Sequence, residues 1–448
     1  MRSYPTSEFD EGVYLATFRS VQHGFPLYTG TYLSQLPGFF VTTFPIYVVL
    51  GSTLEAARLA VFFYSLVGLL AIVWLGWEFK STLFGFIAIG VLYLVPIYTI
   101  QIMTFHADSL PSAFSALALA SILRFRNTSK WGWIAFSAFC VTTAVMIKAD
   151  FAVLPSILVV IAFATVIEKR HIGDFIKALL VFGLAVVVSA LLFTQPFGIQ
   201  AVYENVIQLR MRAAQGTVAD PQTFLNFFRE QDALVKLLIA GAVLSVMAFI
   251  GVKTARFPLI LLFLWGVTTI VSLLVYHPLL PHHLAFLAVP ITAYFAFSLF
   301  SLLNLIKVPR LLPAAVTVFV VFILANRLNT TSAPQPGVTT LLQQKGIQLV
   351  ETYTDPNDYI ISDDGIVSAL SDRRVPPYLT DLSFVRIGSG GVTRDQLEDN
   401  LKTYHPKMIL VWADRLRNIA NFEGLMKQYH YRLIEDPDTQ HQAYLLVS

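Results

Sequence analysis

Charge is what this sequence has least of: only 13% of its residues are Asp, Glu, Lys or Arg. A soluble globular chain carries roughly a quarter of its residues charged, so that class is excluded. Cysteine is nearly absent. A single Cys140 excludes an intrachain disulfide, and its position inside an apolar run suits a small core residue. There is no basic tract, which argues against nucleic acid as a partner. No glycine-rich phosphate loop is present, so no nucleotide pocket is expected. Met1 to Asp10 is polar and lacks the apolar core of a secretory signal, so targeting is expected to come from internal segments.

What the chain has in abundance is apolar length: 56% of it is hydrophobic, with 36 Phe and 18 Tyr. Repeated runs of about 20 apolar residues match the hydrocarbon thickness that a helix must cross. Helices are the economical solution because each backbone group is satisfied within its own segment. Ten spans are predicted: roughly 56–77, 82–103, 109–124, 131–147, 150–167, 174–193, 234–252, 257–276, 283–304 and 311–327. The apolar segment 33–50 is short and holds Pro37 and Pro45, so it is expected to be interfacial or re-entrant. One set of short loops carries Lys80, Arg124, Arg126, Lys130, Lys169, Arg170, Lys253, Arg256, Lys307 and Arg310. The opposite short loops carry Lys148 alone. The positive-inside rule makes the first set cytoplasmic and turns the N-terminal stretch, the Asp108 loop, the 194–233 loop and the C-terminal tail outward.

Three regions are expected: a first external loop with juxtamembrane helices over 1–55, a transmembrane region over 56–330, and a small extracytoplasmic α/β domain over 331–448. The tail is marked by rising charge after the linker TTSAPQPG. VTTLLQQKGIQLVETY, RDQLEDNLKTY and FEGLMKQYHY read as helices; DYIISDD, KMILVWA, YRLIED and AYLLV read as strands. Their alternation predicts a mainly parallel sheet. Asp363 and Asp364 follow a predicted strand, where sheets of this type often bind ligands, with an ordinary turn as the favoured reading.

Four constellations carry chemistry. Asp10 and Glu11 lie at a helix start, where adjacent acids are also ordinary dipole partners. Asp108 follows His106 between two spans, where Asp, Ser109 and Pro111 also suit a helix start. Both acidic groups fall at the rim of the same, cation-poor face, and ionisable groups at that depth point to function. Lys148 and Asp150 end a span; Lys148 suits a phosphate, or the two form a surface pair. His277, His282 and His283 offer donors to phosphate or ligands to a metal, but their spacing is not a recognised zinc pattern, so no metal set is assigned. Arg210 and Arg212, in the long outer loop, are further phosphate-binding candidates, with a solvated helix face as the plainer reading for one of them.

The stretch Phe9-Asp10-Glu11 through Arg19-Ser20, Gly24, Tyr32-Leu33-Ser34-Gln35-Leu36-Pro37 and Ala57-Arg58-Leu59 resembles the first external loop of the GT-C superfamily. More narrowly it resembles glycosyltransferase family 39, the relatives of protein mannosyltransferases and lipid A aminoarabinose transferases. His106-Ala107-Asp108-Ser109-Leu110 resembles that family's second acidic loop. The resemblance implies a polytopic α-helical membrane protein, bacterial and in the plasma membrane. It implies inverting transfer of a hexosyl or pentosyl group from a polyprenyl-phosphate sugar to a hydroxyl on a lipid, glycan or protein acceptor of the cell envelope. Carried over, Asp10 is the base, Glu11 and Asp108 orient donor or acceptor, and Lys148 with loop arginines holds the phosphate. No cofactor is required by this chemistry, with a divalent metal left open. The family places a membrane helix ahead of its acidic pair, whereas nine residues precede Asp10 here; either the start lies upstream of Met1 or the chain is a natural truncation, and a missing first helix would remove packing for the acidic loop. Two other readings remain: a transporter or flippase of a lipid-linked saccharide, and a non-catalytic membrane protein with an external binding domain. Transporters place polar groups on broken helices at mid-membrane, whereas these acids sit at the rim.

Overall fold

A computed structural model describes residues 9–149, 172–215, 220–276, 278–305, 341–438 and 441–447. The N-terminal part is a helical bundle, and the part from 341 onward folds around a small sheet. The first seven helices are α1 (Phe9–Gln22), α2 (Pro37–Val49), α3 (Leu54–Glu78), α4 (Thr82–Leu92), α5 (Pro96–Gln101), α6 (Leu110–Thr128) and α7 (Gly132–Ile147).

Among the described residues, five helices are long and apolar enough to cross a membrane: Leu54–Glu78, Gly173–Phe197, Asp232–Gly251, Lys253–Val275 and Pro281–Asn304. The expected spans 150–167 and 311–327 lie outside the described residues. The expected span 82–103 is two helices. Pro96 has no amide hydrogen and holds Val95 in extended backbone (φ −94°, ψ 103°), which ends α4 and starts α5 afresh. The 33–50 segment forms α2, whose 13 residues reach about 20 Å and are too few to span. The described parts of the 194–233 stretch, expected as a surface loop, hold short helices, and Asn205 and Arg210 donate to the Tyr28 and Ser34 carbonyls between α1 and α2.

Local chemistry explains the long helices. The Thr53 side chain caps α3 by accepting from the Ala56 amide, and Glu55 sits in its first turn. Gly68 lets α6 approach closely: a Cβ there would lie 2.7 Å from that of Ala113. At the far end of α3, buried Glu78 accepts hydrogen bonds from Trp74 Nε1 at 3.0 Å and Asn127 Nδ2 at 2.7 Å. These satisfy a carboxylate that would be costly bare in an apolar setting.

The tail sheet has the order β1-β2-β4-β3, with β1 Ile360–Ser362, β2 Met408–Val411, β3 Tyr431–Asp438 and β4 His441–Leu446. Only β1 and β2 run parallel; β2–β4 and β4–β3 are antiparallel. The expected mainly parallel sheet is therefore mixed. Its last two strands join as a hairpin, and β4 inserts between β3 and β2. Asp363 is the hub beneath it, accepting backbone amides of Trp412, Ala413, Arg415 and Leu416 at 2.6–3.1 Å. Burial pushes its carboxyl up from the ordinary value, opposed by those four donors.

The tail is pressed onto α1. Gly12 meets Gly365 so closely that a Cβ on Gly12 would fall 2.1 Å from the Gly365 carbonyl carbon. Arg19 donates to the Ala369 carbonyl. Thr31 Oγ1 donates to Pro377 O at 2.7 Å, and Thr380 Oγ1 to Tyr32 O at 3.2 Å.

Candidate functional site

The start of α1 places Asp10 and Glu11 in opposite settings, because adjacent residues on a helix point about 100° apart. Glu11 is fully buried and does not line the cavity described below. Arg58 of α3 grips it with a two-pronged contact, Nε to Oε1 and Nη2 to Oε2, both 2.8 Å. Its Oε1 also accepts the Phe105 amide at 2.6 Å. Glu11 thus ties α1 to α3 and to the loop that carries His106 and Asp108.

That loop delivers Asp108 to the end of α7, where its Oδ1 pairs with Lys148. His106 Nδ1 lies 3.4 Å and His282 Nε2 3.7 Å from Asp108 Oδ2. Burial alone would raise the Asp108 carboxyl, but Lys148 and then His282 and His106 hold it well below the usual carboxylate range. His283 Nδ1 accepts the Leu280 amide at 3.1 Å, which makes Nε2 the protonated nitrogen of its neutral form. Lys148 also lies 5.0 Å from the Phe286 ring centre.

Arg210 enters from the helical stretch after 199. It donates to Tyr276 Oη at 3.1 Å, Ser34 O at 3.1 Å and Gln35 Oε1 at 3.2 Å. Gln35 in turn donates to Tyr14 Oη at 2.8 Å. Burial, then the charges of Asp10 and Asp108, push the Tyr14 hydroxyl up, so it stays protonated.

These pieces surround one cavity of about 660 Å³ whose wall includes Asp10, Lys148, Arg210, His282 and His283. Its size is that of a small-molecule site. Apolar side chains such as Ile207, Leu209, Met211, Val275 and Leu280 make up much of the remaining wall. Asp108 and His106 stand behind the wall, both about 1% exposed. Of the residues expected from sequence, Arg212 is turned to a solvated helix face, donating to Gln208 at 3.2 Å. Asp150 and His277 lie outside the described residues.

One donor set fits a divalent cation. Ligand atoms of Asp10, His106 and His282 lie within 4.8 Å of one another. A second set, Asp108, His282 and His283, is equally close, but the Lys148 ammonium already occupies Asp108. A cation there would face that charge directly, so the Asp10 set is the better fit.

Sequence reasoning missed the tail's share of the wall. Asp381, Ser383, Phe384, Arg386 and Arg415 all border the cavity. The Arg415 guanidinium stacks 3.6 Å from the Phe9 ring centre, next to Asp10. Arg386 lies 3.6 Å from the Tyr32 ring centre and donates to the Tyr378 and Asp381 carbonyls, both at 2.7 Å. No local motif marks these residues; they matter only because the tail docks on α1. Arg58 and Glu11 were both visible within the quoted motif, but their pairing was not.

No protein-family model matches the chain, and no curated protein matches it in sequence. Solved structures do match in fold. ArnT from Cupriavidus metallidurans in the apo state superposes with TM-score 0.61 at 14% identity, over 100% of this chain and 94% of that one. The same protein bound to undecaprenyl phosphate gives 0.60 at 13% identity, over 100% and 95%. The archaeal oligosaccharyltransferase from Archaeoglobus fulgidus in the apo form gives 0.56 at 11% identity, over 97% of this chain and 70% of that one. AglB from the same organism, in complex with an inhibitory peptide and a dolichol-phosphate, gives 0.50 at 14% identity, over 98% and 70%. What this chain shares with them is the course of its backbone from one end to the other: it has the GT-C fold.

Proposed function

We propose that this protein is an integral membrane glycosyltransferase that moves a sugar from a polyprenyl-phosphate donor to an acceptor hydroxyl at the outer face of the membrane. The observation that carries the reading is convergence. Asp10, Lys148, Arg210 and two imidazoles meet in a single cavity, with the tail's Asp381, Arg386 and Arg415 at its border and apolar side chains over much of the rest. The structural neighbours add support, since the one from Cupriavidus was solved with undecaprenyl phosphate and the archaeal one with a dolichol-phosphate.

In this reading the isoprenoid lies along the apolar wall and its phosphate sits between Lys148 and Arg210. Asp10 takes the proton of the acceptor hydroxyl as that oxygen attacks the sugar carbon. The bond to the phosphate oxygen breaks, and the negative charge left on the phosphate is met by Lys148, Arg210 and the Nε2–H of His283. Asp108 holds the Lys148 ammonium in place through their ion pair. A divalent cation held by Asp10, His106 and His282 would supply further charge stabilisation at the phosphate.

Asp10→Asn keeps the shape and removes the base. In a transfer assay with polyprenyl-phosphate sugars it should lower kcat by two orders of magnitude or more, roughly the worth of a general base. Wild-type turnover in Asp10→Asn would reject the role given to Asp10. Prolonged chelation followed by zinc or manganese addition tests the cation: restored activity supports it, and indifference to chelator removes it.

A further inference from the structure

A second crevice lies at the other end of α1. It has a volume of about 180 Å³ and opens between α1 and the tail, with Arg19 and His23 on one side and Tyr359, Ser368, Arg373 and Arg374 on the other. Arg19 is nine residues beyond Asp10, about 14 Å along the helix axis, so this is not the cavity described above. Three guanidinium groups share the crevice with one carboxylate, Asp372, whose Oδ1 lies 3.3 Å from Arg19 Nη2 and whose side chain is 83% exposed. The balance is two positive charges with His23 neutral.

The arginines are held ready. Arg373 is fixed by three donations, to Thr354 Oγ1, Thr354 O and Ser371 O, each 3.0 Å. Arg374 makes one long contact, to Asn357 Oδ1 at 3.3 Å. A separate feature points to a missing oxygen. Ser368, which borders the crevice, is 3% exposed, and its hydroxyl has no hydrogen-bond partner among the described residues. A buried hydroxyl in that state is uncommon and is satisfied when a ligand supplies the partner.

The surroundings indicate where the ligand comes from. Gln22, at the end of α1, donates to Ser52 Oγ at 2.6 Å, at the tip of the α2–α3 connection. Val49 and Leu50 of that tip are 82% and 49% exposed. Bare apolar side chains there suit the edge of a bilayer, and Gln22, which touches this tip, is three residues from Arg19 on α1.

We propose that this crevice binds a phosphate group carried by an anionic amphiphile of the membrane, with Arg374 and Arg19 as its charged partners and Ser368 as a neutral one. Guanidinium forks match phosphate oxygens, and a partly enclosed crevice screens the contact less than open water does. The inference does not depend on the glycosyltransferase reading.

The test uses the full chain in nanodiscs. Native mass spectrometry after exchange into phosphatidylglycerol or phosphatidylcholine measures retained lipid, and a thermal shift with sodium phosphate measures the free anion. Wild type should retain phosphatidylglycerol over phosphatidylcholine. Arg374→Gln should lower that retention about tenfold, the worth of one charge-assisted contact. His23→Gln, at an exposed position, should lower it less, and Arg417→Gln, away from the crevice, not at all. A phosphate-dependent shift lost in Arg374→Gln, without selective lipid retention, would overturn the membrane source and assign a free phosphate. Equal retention by wild type and Arg374→Gln, with no phosphate shift in either, overturns the site.

Discussion

Replacing Glu11 separates two roles that its sequence context leaves joined. The adjacent pair Asp10-Glu11 invites a catalytic role for both acids, but the structure surrounds Glu11 with three donors and leaves none of it exposed. Removing one partner of a buried, hydrogen-bonded ion pair costs about 3–5 kcal/mol. Glu11→Gln keeps one acceptor oxygen and loses the charge, so about 3 kcal/mol is the working figure. Part of that energy holds the Phe105 amide, and with it the loop bearing His106 and Asp108. At 1.4 kcal/mol per decade, a 3 kcal/mol loss acting wholly on the loop would raise its open population by about a hundredfold, which is the upper bound. Hydrogen exchange read on peptides covering 102–110 should show protection falling in Glu11→Gln by up to that factor, with transfer activity falling alongside it. The double variant Glu11→Gln with Arg58→Met leaves no bare ion and keeps an amide oxygen for the Phe105 N–H, so it should recover part of the protection. If Glu11→Gln abolished transfer while exchange over 102–110 stayed at the wild-type level, Glu11 would be acting on the reactants and the positioning account would be wrong.

Gly12→Ala puts a methyl 2.1 Å from the Gly365 carbonyl carbon, a backbone contact that cannot yield locally; it should loosen the tail from α1 and lower stability by about 1–3 kcal/mol, seen as easier proteolytic release of the tail. The pH dependence from Asp108 has a definite sign. Its folded-state carboxyl is depressed below 3.8, so its contribution is complete above that value and is lost only as pH falls through the lower folded value. Because His282 beside it titrates at lower pH, the melting-temperature gap between wild type and Asp108→Asn should be constant only above the imidazole range, from about pH 7 to about pH 8; a gap that closes within that window would contradict the pairing with Lys148. Arg210→Lys keeps the charge but cannot reach Tyr276, Ser34 and Gln35 together, so KM for a polyprenyl-phosphate sugar should rise about tenfold with kcat less affected.

Composition and apolar run length by themselves determined a helical membrane architecture, since backbone groups in lipid must be paired within the segment. They also set the expectation that the acids lie at the rim, on the face opposite the cation-rich loops, and the structure brings Asp10, Asp108 and Lys148 into one neighbourhood. Local chemistry placed the tail's strands and helices, but not the direction of its last two strands, which depends on a hairpin closing against β2. Whether Asp10 and Glu11 act alike was not legible, because a helix turns neighbouring residues toward different surroundings. Nor was the tail's contribution: Asp381, Arg386 and Arg415 reach the cavity only because Gly12 and Gly365 let two backbones touch. Sequence patterns report what each segment needs from its solvent. Which distant side chains then face one another is decided when those segments pack.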